Sequence, residues 1–260
     1  MKVVIFCGGL GMRLREFSES TPKPMVPIGN RPIVWQLMKY YAHFGHKEFI
    51  LCLGHNAHVI KDYFLKYDEC LSNDFVLEGS NKTTLLQTDI DDWKITFADT
   101  GLASNIGMRL KAVEKYLDGD DMFLANYADG LSDVPLPTMI DFFKNSGKTG
   151  CFLCVRPNQT FHYVRLDDEG TVESIQDTTN TGLTVNGGFF VFKKEIFDYM
   201  RDGEELVHEP FQRLIDDNQL AAYQYDGYWG CMDTFKDKQN FDDRYTRGDC
   251  PWEVWNSDKS

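Results

Sequence analysis

The sequence predicts an α/β fold with a mixed, mostly parallel central sheet flanked by helices and a small β-rich lobe in its second half. Three observations predict it. Strand-like apolar runs alternate with helical periodicity through residues 1–148. A glycine-rich segment follows the first strand directly. Beyond residue 149, short strand patterns recur with few helices between them.

Taken in order, Lys2–Cys7 is a buried-type strand. Arg31–Phe44 places Ile33, Val34, Leu37, Met38, Tyr41 and Phe44 on one helical face. Glu48–Leu53 reads as a strand, and Ala57–Tyr67 as a helix with Val59, Tyr63 and Phe64 inward. Trp93–Ala98 alternates like a strand, Met108–Leu117 is helical, Met122–Asn126 is a strand and Leu136–Lys144 a helix. The second half begins with strand patterns at Gly150–Val155, Tyr163–Leu166, Val172–Ile175 and Val185–Phe192. Helices return at Lys194–Met200, Pro210–Asn218 and around Thr234–Tyr245. No internal repeat and no linker rich in Pro, Gly or Ser divides the chain, so one domain over residues 1–260 is expected. A ligand in such a sheet sits beyond the carboxyl ends of its strands.

Composition narrows the function classes. Lys+Arg number 27 against 40 Asp+Glu, a formal net charge of −13. So acidic a surface repels phosphate backbones and anionic lipid, which excludes a nonspecific nucleic-acid or membrane binder. No run of about 18 apolar residues is present to span a bilayer. The apolar run at Val3–Cys7 is too short for a signal peptide. Seven cysteines, odd in number and scattered in spacing, suggest reduced thiols in a cytoplasmic protein. Cys151 and Cys154 form a C-x-x-C, but in a strand positions i and i+3 point to opposite faces, so the pair reads as structural.

The segment Gly8-Gly9-Leu10-Gly11-Met12-Arg13-Leu14 carries the chemistry. Glycines there let backbone N–H groups approach phosphates as a nest. A dinucleotide fingerprint fails, because Leu14 occupies the third glycine position and no acidic residue ends a second strand about 20 residues on. A Walker A loop fails for want of its G-K-[ST] end. A plain turn is the competing reading. Against it stands charge. Arg13 lies in the loop, and Lys23 follows between Pro22 and Pro24, whose fixed φ aims its side chain. Together these features describe a cradle for a triphosphate.

With Lys23-Pro24-Met25, the loop resembles the G-G-x-G-T-R-L…K-P signature of sugar-1-phosphate nucleotidylyltransferases, Met12 standing in for the usual Thr. The sequence is most similar to the glucose-1-phosphate cytidylyltransferase branch. The likeness continues through Ile28-Gly29, Pro32-Ile33, Asp99-Thr100-Gly101, Arg109-Leu110-Lys111, Tyr127-Ala128-Asp129-Gly130, Asn186-Gly187-Gly188-Phe189-Phe190, Trp229, Met232-Asp233-Thr234 and Pro251-Trp252. It implies a Rossmann-like nucleotidyltransferase fold with a nucleotide-binding half over about 1–148 and an acceptor-binding half over about 149–260. It also implies transfer of CMP from CTP to a phosphorylated acceptor, with release of pyrophosphate. The product would be a CDP-activated sugar, or a related conjugate, for a capsule or O-antigen polysaccharide. Arg13 and Lys23 would be catalytic. Leu10, Gly11, Arg13, Lys23, Thr100 and Arg109 would surround the nucleotide. Asp129 and Asp233 would hold Mg²⁺. His162, Thr178, Asn186 and Gly187 would face the acceptor. The partners are then CTP and a small phosphorylated acceptor, with homo-oligomerisation left open.

One motif departs from the family. An E-K-P normally precedes the N-G-G segment, its lysine on the acceptor phosphate. The corresponding stretch here is Gln176-Asp177-Thr178-Thr179-Asn180, and Phe161-His162 replaces the usual Phe-Gly. A lost lysine removes a charge-assisted contact. Either His162 or another cation compensates, or the acceptor differs, as in cytidylyltransferases that act on phosphoglutamine in capsule phosphoramidate pathways. A non-catalytic nucleotide-binding regulatory subunit is the alternative of another class, and retention of both metal carboxylates argues against it. His43-x-x-His46 and His55-x-x-His58 have ligand-like spacing but no accompanying set of acids or thiols, and read as surface or helix-end residues.

Overall fold

A computed structural model gives the fold; the structure describes residues 1–9, 21–157, 162–177 and 182–259. Its centre is β1 (Val3–Phe6), four buried apolar residues with parallel partners on both sides. β2 (Pro27–Ile28) and β3 (Arg31–Pro32) form a short antiparallel ladder ahead of the helix Ile33–His43. That helix therefore starts two residues later than its periodicity suggests: the residue before a proline is held extended, and Pro32 sits outside the helix at φ −68°. β4 (Glu48–Leu53) leads to the helix Ala57–Leu65. β5 (Phe75–Glu78) and β6 (Lys82–Leu85) make a hairpin apart from the main sheet. β7 (Lys94–Asp99), the helix Ile106–Val113 and β8 (Met122–Tyr127) follow, then β9 (Gly130–Ser132) and the helix Leu136–Ser146.

The second half supplies β10 (Gly150–Val155), the hairpin β11 (His162–Leu166) and β12 (Val172–Asp177), β13 (Val185–Asn186) and β14 (Phe190–Lys193). The helix Glu209–Asp216, β15 (Leu220–Tyr225), β16 (Trp229–Cys231) and the helix Phe235–Arg247 complete the order. Lys194–Tyr199, expected as an α-helix, winds as a 3₁₀ turn.

Among the described residues, eight strands form the main sheet, in the order β7-β4-β1-β8-β14-β10, with β13 and β15 both paired to β10. β7, β4, β1 and β8 are parallel, β14 is antiparallel to both β8 and β10, and β15 is parallel to β10. The sheet thus passes from the first half into the second without a break. Alternation along its strands divides the core in two. Val3, Ile5, Phe49 and Leu51 face the helices Ile33–His43 and Leu136–Ser146. Val4, Phe6, Ile50 and Cys52 face Leu110, Val113, Phe211 and Leu214 on the opposite side.

Two features position the site. The chain leaves β1 for β4 and β7 on one side, then crosses back to β8 on the other, so β1 is a topological switch point with a crevice at its carboxyl end. The strand expected over Val185–Phe192 is broken at Gly187–Phe189, where Gly188 takes φ +74° and Phe189 +47°. The break is held from below. Asn126 is fully buried; its Oδ1 accepts from the Phe189 N–H at 3.2 Å and its Nδ2 donates to the Tyr41 hydroxyl at 3.0 Å. A Cβ on residue 188 would come within 2.8 Å of Asn126 Oδ1, which leaves glycine there.

All seven cysteines are free, and Cys151 and Cys154 lie along β10 as expected. Among the described residues, no helix is long and apolar enough to cross a membrane.

Candidate active site

Asp129 and Asp233 are brought together by one small ladder. β9 follows Asp129 directly, β16 ends two residues before Asp233, and the two strands pair antiparallel with Cys231 opposite Gly130. The Met232 N–H extends the ladder to the Asp129 carbonyl at 2.9 Å. Buried Ala128 and Met232 anchor the two segments in the core. Asp233 lies one residue before the cap of the helix Phe235–Arg247. Thr234 and Asp237 form a capping box there, and Asp237 also accepts from the Asp233 N–H at 3.1 Å. The positive end of that helix favours a carboxylate at this place.

Lys23 completes the cluster. It begins a 3₁₀ turn, Lys23–Met25, in which Met25 N–H donates to the Pro22 carbonyl at 2.8 Å and Val26 N–H to the Lys23 carbonyl at 3.1 Å. The turn fixes its Cα, as the flanking prolines suggested. Its Nζ reaches Asp129 Oδ2 at 2.5 Å and Asp233 Oδ1 at 2.6 Å. Burial works against the ammonium, but the two carboxylates outweigh it and hold the Lys23 pKa above its ordinary value. The Cys231 thiol lies in the same cluster, with ligand atoms of Asp129, Cys231 and Asp233 all within 4.8 Å of one another. Burial, reinforced by Asp129, pushes the Cys231 pKa well up, so it stays a thiol. Two carboxylates already sharing one cation suit a divalent ion such as Mg²⁺, which takes oxygen ligands; the protonated sulfur of Cys231 is a poor ligand for it.

These acids open onto a cavity of about 320 Å³ between the ladder and the broken strand, lined also by Tyr127, Pro157, Asn186, Gly187 and Trp229. The wall is latched at both sides of the break. Trp229 Nε1 donates to the Gly187 carbonyl at 2.8 Å, and Asn186 Oδ1 accepts from the Gly188 N–H at 2.9 Å. Asp129, Asp233, Asn186 and Gly187 are thus gathered in one cavity, with Lys23 at its acidic end.

The Nucleotidyl transferase family model matches residues 2–242. The chain belongs to the nucleotidyl transferase family. This nucleotidyl transferase is 37% identical to the glucose-1-phosphate cytidylyltransferase of Salmonella typhi over 257 residues, 98% of this chain and 100% of that one. The corresponding protein of Salmonella typhimurium matches at the same identity and coverage. Among solved structures, a UDP-glucose pyrophosphorylase complexed with UDP-glucose superposes with a TM-score of 0.68 at 15% identity, covering 95% of this chain and 98% of that one. That likeness shows the shared α/β fold, a mostly parallel sheet with helices on both faces.

The remaining candidate residues of the nucleotidyl transferase are distributed unevenly. Leu10, Gly11, Arg13 and Thr178 lie outside the described residues. Thr100 and Arg109 stand at the carboxyl end of the parallel strands, but their side chains are turned into the scaffold. Arg109 is 1% exposed; its Nη1 donates to Thr100 Oγ1 at 2.7 Å and to the carbonyls of Gly101 at 2.9 Å and Leu53 at 3.1 Å. Thr100 Oγ1 in turn donates to the Leu53 carbonyl at 2.8 Å. Arg109 therefore staples the ends of β4 and β7 and packs against Gly8, where a Cβ would sit 2.2 Å from its guanidinium. His162 lies on β11 opposite Asp177, its Nε2 3.3 Å from that carboxylate, and is not among the residues lining the cavity. Sequence reasoning missed Cys231 and the latch from Trp229 to Gly187. The signal for Cys231 was its spacing: two residues before Asp233, along an extended segment, it shares a face with the acid.

Proposed function

We propose that this nucleotidyl transferase moves CMP from CTP to a phosphorylated acceptor, a sugar 1-phosphate or a related phosphate, and releases pyrophosphate. The single observation that carries the reading is the pair Asp129 and Asp233, converging on one cation beside a cavity just past the carboxyl end of β8. Cytidine as the base rests on the full-length similarity to glucose-1-phosphate cytidylyltransferases. In this reading residues 1–148 bind the nucleotide and residues 149–260 the acceptor.

The acceptor phosphate is already largely a dianion near neutral pH, its second pKa being about 6, so the reaction needs no general base. One acceptor oxygen attacks the α-phosphorus of CTP. The bond from that phosphorus to the bridging oxygen breaks, and the electron pair leaves with pyrophosphate. The protein's work is alignment and charge neutralisation. Lys23 and Arg13 offset the negative charge that grows on the departing pyrophosphate. Asn186 and the Gly187 backbone orient the acceptor, and the latch from Trp229 keeps that wall in register. Mg²⁺, held by Asp129 and Asp233, would supply Lewis-acid charge stabilisation at the phosphate oxygens. Surface polysaccharide synthesis is the fitting use for such a product.

The deciding assay is pyrophosphate release with each of the four ribonucleoside triphosphates and dTTP against a panel of phosphorylated acceptors. CTP-selective release that needs an acceptor is the expected result. Acceptor-independent hydrolysis, or no release with any pair, would refute the proposal.

A further inference from the structure

The Lys23 ammonium occupies the place a divalent cation needs. It lies 2.5 Å from Asp129 and 2.6 Å from Asp233, and the three side chains are 18%, 23% and 34% exposed. Two carboxylates this close repel each other unless a cation stands between them. Between Asp129 and Asp233 that cation is part of the chain itself.

We propose that Lys23 is the resident counter-ion of the metal-binding carboxylates, so that the enzyme takes up its divalent ion together with the triphosphate and not before it. This rests on the reading of Asp129 and Asp233 as metal ligands. A free divalent ion would have to displace an ammonium already at hydrogen-bonding distance from both acids. A triphosphate reverses the balance. It offers the ammonium several anionic oxygens. The Lys23 backbone is fixed in its 3₁₀ turn, while its four-carbon stem can swing. As Nζ moves to the phosphates, the two carboxylates are left uncompensated and take the ion that the nucleotide brings. Metal and triphosphate affinities are then coupled through one side chain, and the coupling is reciprocal.

The test is Mn²⁺ binding to the nucleotide-free protein, read by electron paramagnetic resonance. Lys23→Met and Lys23→Gln should bind Mn²⁺ about tenfold or more tightly than wild type, within the range of ordinary coupling energies. Lys23→Arg, which keeps a cation, should stay close to wild type. Adding Asp129→Asn to Lys23→Met should remove the gained site. Equal binding by wild type and Lys23→Met, still abolished by Asp129→Asn, overturns the counter-ion role and leaves the metal ligands standing. A gained site indifferent to Asp129→Asn overturns both. No Mn²⁺ uptake by either neutral variant also overturns it. A neutral variant that melts early should regain its midpoint with Mn²⁺. Failure of both neutral variants to fold with or without Mn²⁺ shows that the ion cannot replace the ammonium, and overturns the inference.

Discussion

Lys23 and Asp129 lie 106 residues apart and meet at 2.5 Å. The contact joins the turn after the glycine-rich segment to the end of β8, and so ties the two sides of the crevice together. Asp233 reaches the same ammonium from the start of the last long helix. This convergence makes the two acids the first residues to test. Asp129→Asn and Asp233→Asn should each reduce magnesium-dependent turnover to less than about a tenth of wild type, since a direct metal ligand contributes several kcal/mol and each 1.36 kcal/mol is about tenfold in rate. Circular dichroism should show the fold retained. Turnover above that level at saturating magnesium would remove the residue from the list of ligands.

The two acids were picked out through the family resemblance, each in a compact motif, Tyr127-Ala128-Asp129-Gly130 and Met232-Asp233-Thr234, at the end of an apolar run. The parallel half of the sheet was legible directly: strands such as Val3–Phe6 are buried on both faces and read as unbroken apolar segments. What escaped was set by tertiary context. β9 and β16 have three residues each and exist because they pair with each other. β15 reads Leu-Ala-Ala-Tyr-Gln-Tyr, with no strong alternation, and is fixed as a strand by β10. The break at Gly187–Phe189 depends on Asn126, 63 residues away from Phe189. Arg109 carried a binding role by analogy, whereas burial directs its guanidinium to backbone carbonyls. No local pattern encodes that direction.

Lys23→Ala and Arg13→Ala should both weaken CTP binding and slow the chemical step. In the proposed reaction the charge they would neutralise grows as pyrophosphate departs, so kcat should fall along with affinity. Isothermal titration with CTP and single-turnover rates check the two effects separately. Unchanged values in both variants would make the glycine-rich segment and its lysine a structural turn.

Gly8→Ala should destabilise the protein through Arg109. The added methyl group would lie 2.2 Å from a guanidinium that three acceptors already hold. Overpacking of this kind costs about 1–3 kcal/mol. In a chain of this size 1 kcal/mol moves the melting midpoint by roughly 2–4 °C, so a fall of several degrees is expected. A midpoint within one degree of wild type would show that the staple yields.

Stability should also fall as the pH drops from 6.5 to 4, in part through His46. Burial, with the Met1 ammonium 3.4 Å from Nδ1, pushes its pKa down from 6.5 to about 4. In that window the unfolded chain takes up a proton that the folded one refuses. The contribution of His46 is therefore fully present above pH 6.5 and is lost as the pH falls through 4. His46→Gln should flatten this part of the curve of unfolding free energy against pH, measured by urea titration at several pH values. A slope unchanged by the substitution would assign the effect to other groups.

The acceptor is the most exposed point of the reading. Thr178 stands where the family places a lysine on the acceptor phosphate, and no lysine or arginine is among the described residues that line the cavity. A charged hydrogen bond to phosphate contributes roughly 1.5–3 kcal/mol. Its loss corresponds to about a ten- to hundredfold drop in efficiency. Glucose 1-phosphate should therefore be a poor acceptor, and Thr178→Lys should improve kcat/KM for it by about that factor. His162 tests the other source of positive charge. It is 65% exposed and paired with Asp177. If His162→Gly weakens acceptor binding while CTP binding holds, the imidazole reaches the phosphate. If it leaves both unchanged, the compensating cation lies elsewhere. Efficient turnover of glucose 1-phosphate by the wild type, unimproved by Thr178→Lys, would sink the altered-acceptor idea and leave the same substrate that the Salmonella relatives are named for.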